Sequence, residues 1–567
     1  MRRFTFILML AISGVYTLAW AVQSLPSLVV SAPPADEIVL RHADKLYYNQ
    51  YVNRDAQILV GNVEFEHQGA IMTCDSALYY KETKSFDAYG NVVFVQGDTL
   101  SLNSDILYYK GDIRKAYAMS DPGDSVKLRH RNTFLYSENI EYDRVTDIGT
   151  FPNKGRLVDL DQDNELVSDF GEYSPKTREA KFYYNVRLDN PRPPKKKTSW
   201  LVSDTLYYNT KSGVAQVLGP SDLYHGENTI MNTTNGYYYT QSKEARFYDR
   251  PTLQHVEREV TGDSMYYDGN THVSEAFGKV EYVDKANKNK FYGNYALYND
   301  TSGYAEAYDS ALCVDYSQPD TMYCHADTFK LFTYNIDTDS VYRVVHAHPH
   351  VRAFRNDIQA VCDSLVINGQ DTCAIMYKDP IVWQEGQQIL GEEIWIWSND
   401  STLDSVYVIN QALLVEKIDS MHYNQIASKE MHSYFRGKEI YLNVADLNVF
   451  LNYHPFDSDS LMIGMVHAES SQLKMFMEDK KVQKIWMPAT TGQMYPIEQT
   501  PPDKRLLSNF AWFEDIRPKD KDDLMVWKPK TAGSELKESV RHVAPTQKLS
   551  NIKRTKKDEP IQSETTP

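Results

Sequence analysis

The side chains most suggestive of chemistry are acids that recur. Asp44, Asp75, Asp105, Glu138, Asp169, Asp204, Asp263, Asp327, Asp363 and Glu392 form one series with Asn235 and Asn294, spaced 28 to 36 residues apart. Two carboxylates held close together could run general acid–base or glycosidic chemistry. One acid per interval makes a row, not a pair. Lys429 and Ser471 continue the series without a carboxylate. The row therefore reads as solvent-facing turn or ladder residues. Asp159, Asp161, Asp163 and Glu165 begin like a calcium loop, but Asn164 stands where the sixth-position Gly is needed and Phe170 where the twelfth-position Glu is needed. His346, His348 and His350 alternate and share one face of a strand. No Cys or carboxylate follows at a spacing that would complete a metal site. Pro191–Lys197 (Pro-Arg-Pro-Pro-Lys-Lys-Lys) could meet phosphates, and a solvated loop is the simpler reading. There is no Gly-x-Ser-x-Gly, no phosphate loop and no His/Cys nucleophile pair. The expectation is a protein that is not an enzyme, with no catalytic residues, no metal ligands and no cofactor.

Five cysteines, Cys74, Cys313, Cys324, Cys362 and Cys373, cannot all pair within one chain. Cys313/Cys324 and Cys362/Cys373 are each eleven apart, so hairpin-spanning disulfides stay open as an alternative to small buried thiols.

The elements that must position these residues repeat. In Asn91–Tyr109, Gly90-Asn91 makes a turn, Val92 to Gln96 a short apolar strand, and Ser104-Asp105 introduces a second strand. The same order recurs from about residue 38 to 485, in about fourteen copies of about 32 residues. Each polar anchor is followed at +2 and usually +4 by an apolar or aromatic residue. Residues two apart on a strand share a face; with the inward residues of the strand that precedes each anchor, the expected inward set is Val63, Phe65, Ala77, Tyr79, Val92, Phe94, Leu107, Tyr109, Ile140, Tyr142, Leu206, Tyr208, Met265, Tyr267, Val280, Tyr282, Leu365 and Ile367. Charged residues alternate with them, as Glu64 and Glu66 do with Val63 and Phe65, so one face is dry and one wet. Tyrosine is abundant at 41 residues, and no helical periodicity of useful length appears. About 32 residues suit two rungs of a folded-over pair of sheets. Fourteen such copies would run on the order of 130 Å at a strand spacing of about 4.8 Å.

The flanks differ in character. Residues 1–21 carry Arg2-Arg3, an apolar run and Ala19-Trp20-Ala21, which reads as an export signal. Residues 22–37 read as a linker. Repeats are expected over 38–240 and 241–500. Residues 501–567 form a Lys/Pro-rich tail expected to be largely disordered beyond about Arg517, with Phe510-Ala511-Trp512-Phe513 as a cap for the last rung. A net charge of −17 argues against nucleic acid as a partner.

The run Gly-Asn-Val-Val-Phe-Val-Gln-Gly-Asp followed by Ser-Asp-Ile-Leu-Tyr-Tyr (90–109) resembles the repeat of the OstA/LptA family, a module found also in the periplasmic N-terminal part of LptD. Gly61-Asn62-Val63 with Cys74-Asp75-Ser76-Ala77-Leu78-Tyr79, and Gly278-Lys279-Val280 with Gly293-Asn294, repeat the likeness. The resemblance implies an all-β, elongated β-jellyroll or solenoid-like repeat whose paired sheets form a V. It also implies a carrier or bridge in the periplasm, with outer-membrane association left open. Such a protein binds the acyl chains of lipopolysaccharide (lipid A) in an apolar groove and helps deliver it to the outer membrane. Its partners would be other lipopolysaccharide-transport components, docked through end-to-end β-strand pairing. A secreted solenoid enzyme acting on polysaccharide and a purely structural envelope or adhesin solenoid are the alternatives. Whether the inward residues line an open groove or a packed core stays open at this level, as do the oligomeric state and the partner at each end.

Overall fold

Ser85–Gln96 shows how each strand is built. It runs antiparallel to Ala70–Tyr80 on one side and to Leu100–Lys110 on the other. Both ladders break at one level, between Thr73 and Ser76 and between Tyr89 and Val92. There Gly90 (φ +76°) and Asn91 (φ +43°) are both left-handed. Two residues then oppose one, a bulge that bends the strand over. The halves on either side of the bend face each other. Phe65 and Phe86, from opposite halves, stack at 4.8 Å, and Phe94 meets Tyr142 at 6.4 Å. Halves such as Val63–His67 and Val92–Gln96 make sheet I. Halves such as Ser76–Tyr80 and Ser85–Tyr89 make sheet II.

The computed structural model describes residues 37–531 except 50, 52–53, 197, 337, 400–401, 438, 460 and 480. The expected export signal, nearly all of the linker, and the tail beyond 531 lie outside the described residues. By compactness the chain divides into Met1–His130 with Asn139–Val145, and Arg131–Glu138 with Thr146–Pro567. Within each, the described strands are antiparallel and pair with strands one to three places along the chain. Apart from strands and turns there are three short 3-10 segments, the last at Asp522–Met525.

The bend recurs throughout the second unit. Glu179–Asn190, Ser199–Asn209, Val273–Asp284 and Glu439–Tyr453 each cross it intact, with a break in register. Elsewhere the bend splits the strand in two, as between Ile358–Cys362 and Ser364–Asn368. The acidic anchors sit at these bends. Asp169 lies between Asn164–Ser168 and Phe170–Ser174, and Glu392 between Gln387–Leu390 and Glu393–Asn399. Lys429 and Ser471 also fall at register breaks. One repeat is therefore a hairpin of two folded-over strands, or two rungs.

Residues 504–530 correct two expectations. Phe510–Phe513 does not cap the last rung, and the chain does not lose order at Arg517. The segment runs back along the outer face of sheet I as a strap. Asn452 Nδ2 donates to Lys504 O (2.9 Å). Gln425 Nε2 donates to Arg505 O (2.9 Å), and its Oε1 accepts from Leu507 N (2.8 Å). Gln388 repeats the pattern with Ala511 O (2.9 Å) and Phe513 N (2.8 Å). Gln359 Oε1 accepts from Arg517 Nε (2.8 Å), and Arg352 donates to Ile516 O (3.2 Å) and Asp523 (3.1 Å). Leu507, Phe513 and Ile516 pack on Val361, Trp383, Leu413 and Phe450 in a core separate from the interior between the sheets. The glutamine amides act as extra peptide groups for a segment that has no strand partner.

Candidate functional site

The interior changes along the chain. In sheet II the +2 residues lie next to the bend and the +4 residues one step nearer the mouth. Through the first half, the +4 row is tyrosine alternating with a small residue: Tyr109 and Ala116 in the first unit, Tyr208, Ala215, Tyr238 and Ala245 in the second, where the bend before Tyr238 falls at Thr234, one residue ahead of the expected Asn235. These tyrosines and alanines are all at most 1% exposed. Tyr109 shares a 2.7 Å hydrogen bond with His67 Nδ1 and accepts from Arg144 Nη1 (2.9 Å). Tyr208 donates to Asp159 Oδ2 (2.9 Å) and accepts from Asn164 Nδ2 (2.8 Å). His67, Asp159 and Asn164 belong to sheet I, so these tyrosines fill the mouth and clasp it. Burial raises the Asp159 carboxyl, against the hydrogen bonds that lower it, and drives the Tyr208 hydroxyl far above its usual range with help from the Asp159 charge.

From about residue 289 the clasp is replaced. The +4 row becomes Tyr298, Leu331, Ile367 and Ile396, opposed in register by Val345 and Val406. These are half-buried, and Ile367 is 43% exposed. The +2 level is better packed: Phe329, Met376, Ile394, Val408 and Met431 are at most 6% exposed, while Ala296 and Leu365 are half-buried. A dry floor under an open apolar wall is a groove. Across it, sheet I supplies Phe291, Cys313, Cys324, Leu414 and Tyr453, all partly buried. Near its C-terminal end the groove holds a cavity of about 600 Å³, walled by Leu414 and Leu451 on one side and Ile440, Met475 and Met477 on the other. His454 lies on its rim. Burial, with the neighbouring His422 charge, lowers its pKa to about 4, so it is neutral at pH 7.

The expected inward residues divide accordingly. Val63, Phe65, Ala77, Val92, Phe94, Leu107, Tyr109, Ile140, Tyr142, Leu206, Tyr208, Met265, Tyr267 and Val280 are buried. Tyr79, Tyr282 and Leu365 are half-buried. Of the whole set, Leu365 and Ile367 belong to the open stretch. Sequence reasoning missed Leu331, Val345, Val406, Leu414, Tyr453 and Met477. The change from tyrosine to aliphatic residues at +4 was the available signal.

The other candidates have local roles. Arg192 and Lys195, from the basic insertion, pair with Asp163 at 3.0 and 2.6 Å. His346 and His348 lie on the outer face of sheet II, while His350 hydrogen-bonds Asp327 at a bend (2.8 Å). Among the described residues no group of His, Cys, Asp and Glu is arranged to hold a metal. Cys313 and Cys324 oppose each other directly on Leu312–Asp315 and Met322–His325. Cys362 opposes Val351 and Cys373 opposes Asn368, so register gives no support to a Cys362/Cys373 bridge. All five thiols are free, and burial pushes Cys324 up to about 12.

Residues 35–193 match the model of a family described as OstA-like protein. No curated protein matches the chain. Among solved structures it is similar to LptH from Pseudomonas aeruginosa, described as the LptA-homologous periplasmic component of the lipopolysaccharide transport device. The identity is 15%, covering 26% of this chain and 80% of that one, with a TM-score of 0.14. The matched segment lies within the clasped half, and the open groove lies beyond it.

Proposed function

We propose that this chain is a non-enzymatic periplasmic carrier or bridge for lipopolysaccharide, and that its open groove over residues 289–485 holds the acyl chains. The observation carrying this is the half-exposed aliphatic row over a packed floor. Each CH₂ moved from water into such a groove gains about 0.8 kcal/mol. The gain is spread along the wall with no single strong contact, which suits a chain that must slide. The OstA-like segment supports the same class of role. The end strands suit docking between components. Lys45–Tyr47 at one end, and Lys481–Trp486 with Thr491–Tyr495 at the other, pair on one side among the described residues and are largely exposed. An added strand from a transport partner fits there.

Photo-crosslinking in cells tests the carrier reading. A crosslinking residue at Ile367, Ile396 or Val406 is expected to give lipopolysaccharide adducts, and one at Leu107 or Leu206 none. Adducts absent from all three open positions would sink the reading.

A further inference from the structure

Where the tyrosine clasp ends and the groove opens, two arginines face the mouth from opposite sheets. Arg258 comes from Arg258–Thr261 in sheet I, where it opposes Asp284 and donates to Tyr298 OH (3.2 Å). Arg343 comes from Tyr342–His348 in sheet II, on the inward register of Val345 and Ala347. Beside Arg258 stands Asp284, 3% exposed, and the Arg343 charge also acts on it. Its oxygens are already engaged: Asn287 donates through N (3.0 Å) and Nδ2 (2.8 Å), Tyr282 OH donates at 3.4 Å, and Arg258 Nε lies at 3.6 Å. Burial alone would raise this carboxyl. The Asn287 bonds and the charges of both arginines outweigh it and hold the group below its usual value.

Arg343 is the group left over. Among the described residues no hydrogen bond or ion pair engages its guanidinium. It is half-buried beside apolar wall residues, with five donors and no acceptor. Two guanidiniums meet one occupied carboxylate. Along sheet I the next inward-row acid, Asp315, is two strands away from Asp284 and exposed, and it accepts from Ser317 N (2.8 Å). Leaving a partly desolvated cation unmatched is unfavourable unless a ligand supplies the anion. The guanidinium fork fits the oxygens of a phosphate monoester, and Tyr298 adds a hydroxyl beside Arg258.

We propose that Arg343 and Arg258 form an anion site at the closed end of the groove, which takes the phosphate group of an amphiphile whose acyl chain lies along Leu331, Val345 and Ile367. This rests on the groove reading above and adds the headgroup chemistry and the orientation of the cargo. The phosphate sits at the clasped end, and the chain points toward the C-terminal cavity.

The test compares monododecyl phosphate, dodecyl maltoside and inorganic phosphate, below micellar concentrations, by calorimetry on the full chain. Monododecyl phosphate is expected to bind about tenfold or more tightly than the maltoside of equal chain length. Arg343→Gln should erase that gap and leave maltoside affinity unchanged. Arg343→Lys, which keeps the charge but not the fork, should keep part of the gap and guards against a variant that fails to fold. Inorganic phosphate should bind far more weakly than the alkyl phosphate. Equal affinity of the wild type for both amphiphiles, or a gap that survives Arg343→Gln, overturns the anion site and leaves the groove standing. Inorganic phosphate binding as tightly as the alkyl phosphate overturns the amphiphile and makes this a free-phosphate site. Binding of neither amphiphile overturns both the site and the groove.

Discussion

The recurring acids are the chain's most enzyme-like feature, and their work is mechanical. Several reach across a bend to left-handed residues opposite. Asn91 Nδ2 donates to Asp75 (2.8 Å), Asn185 Nδ2 to Asp169 (2.7 Å), and Lys378 Nζ to Asp363 (3.0 Å). Asn410 and Gln411 both donate to Glu392, each at 3.1 Å. The partner changes between copies and the acceptor persists, which explains why the row was legible in sequence while its purpose was not. Gly90 shows how tight the bend is. Its φ is +76°, and a Cβ there would stand 2.5 Å from Asp75 Oδ2. Gly90→Ala therefore combines backbone strain with a collision at the clasp. It should destabilise the local fold by about 1–3 kcal/mol, while Asp75→Ala costs about 1 kcal/mol through the lost hydrogen bond. Amide exchange across Ser85–Gln96 reads both effects. Exchange in Gly90→Ala within twofold of the wild type would show that the bend does not need glycine.

At the scale of elements, the strap is what the sequence concealed. Phe510-Ala511-Trp512-Phe513 was visible as an apolar patch, but its partners lie far back in the chain. Gln388 contacts it from 123 and 125 residues away. Gln359, Gln388 and Gln425 look like wet-face residues by alternation, yet they are at most 4% exposed. The uninterrupted Ile381-Val382-Trp383 was the local hint, because a strand buried on both faces loses its alternation. The strap lies over the open stretch, where sheet I gives up burial on its inner face and gains it on the outer one. Gln388→Leu keeps the volume and removes both bonds to the strap, leaving Ala511 O and Phe513 N without that partner, and also the bond from Trp383 Nε1 (3.1 Å). A loss of about 2–4 kcal/mol of strap docking is expected, since two buried backbone groups go unsatisfied. Limited proteolysis within residues 505–517 should then accelerate by at least tenfold. An unchanged cleavage rate would mean that apolar packing alone holds the strap.

At the scale of the whole molecule, the repeat and the strand class could be read from spacing, because each follows from local chemistry repeated many times, and the polar anchors fall at or next to bends. Whether the two sheets touch at the mouth could not, because it depends on what stands opposite. Tyr208 seals only because Asp159 and Asn164 face it; Ile367 has no such partner and leaves the mouth open. This difference should appear as a difference in local stability within one continuous chain. Strands that bury their inward rows fully open rarely, whereas strands with few buried apolar contacts open often. In the second unit, Ser199–Asn209 and Val214–His225 carry buried inward residues such as Leu206, Tyr208, Val217 and Leu223. In Tyr304–Tyr308 and Tyr342–His348, by contrast, only Ala347 is fully buried. Amides of the latter pair should exchange at least tenfold faster, a difference of about 1.4 kcal/mol in opening free energy. An amphiphile seated in the groove covers Val345 and its neighbours without touching the clasped stretch, so monododecyl phosphate should slow exchange in the second pair alone. Equal exchange rates in the two sets, or slowing spread evenly over both, would mean that the groove is no looser than the clasp and is not where cargo binds.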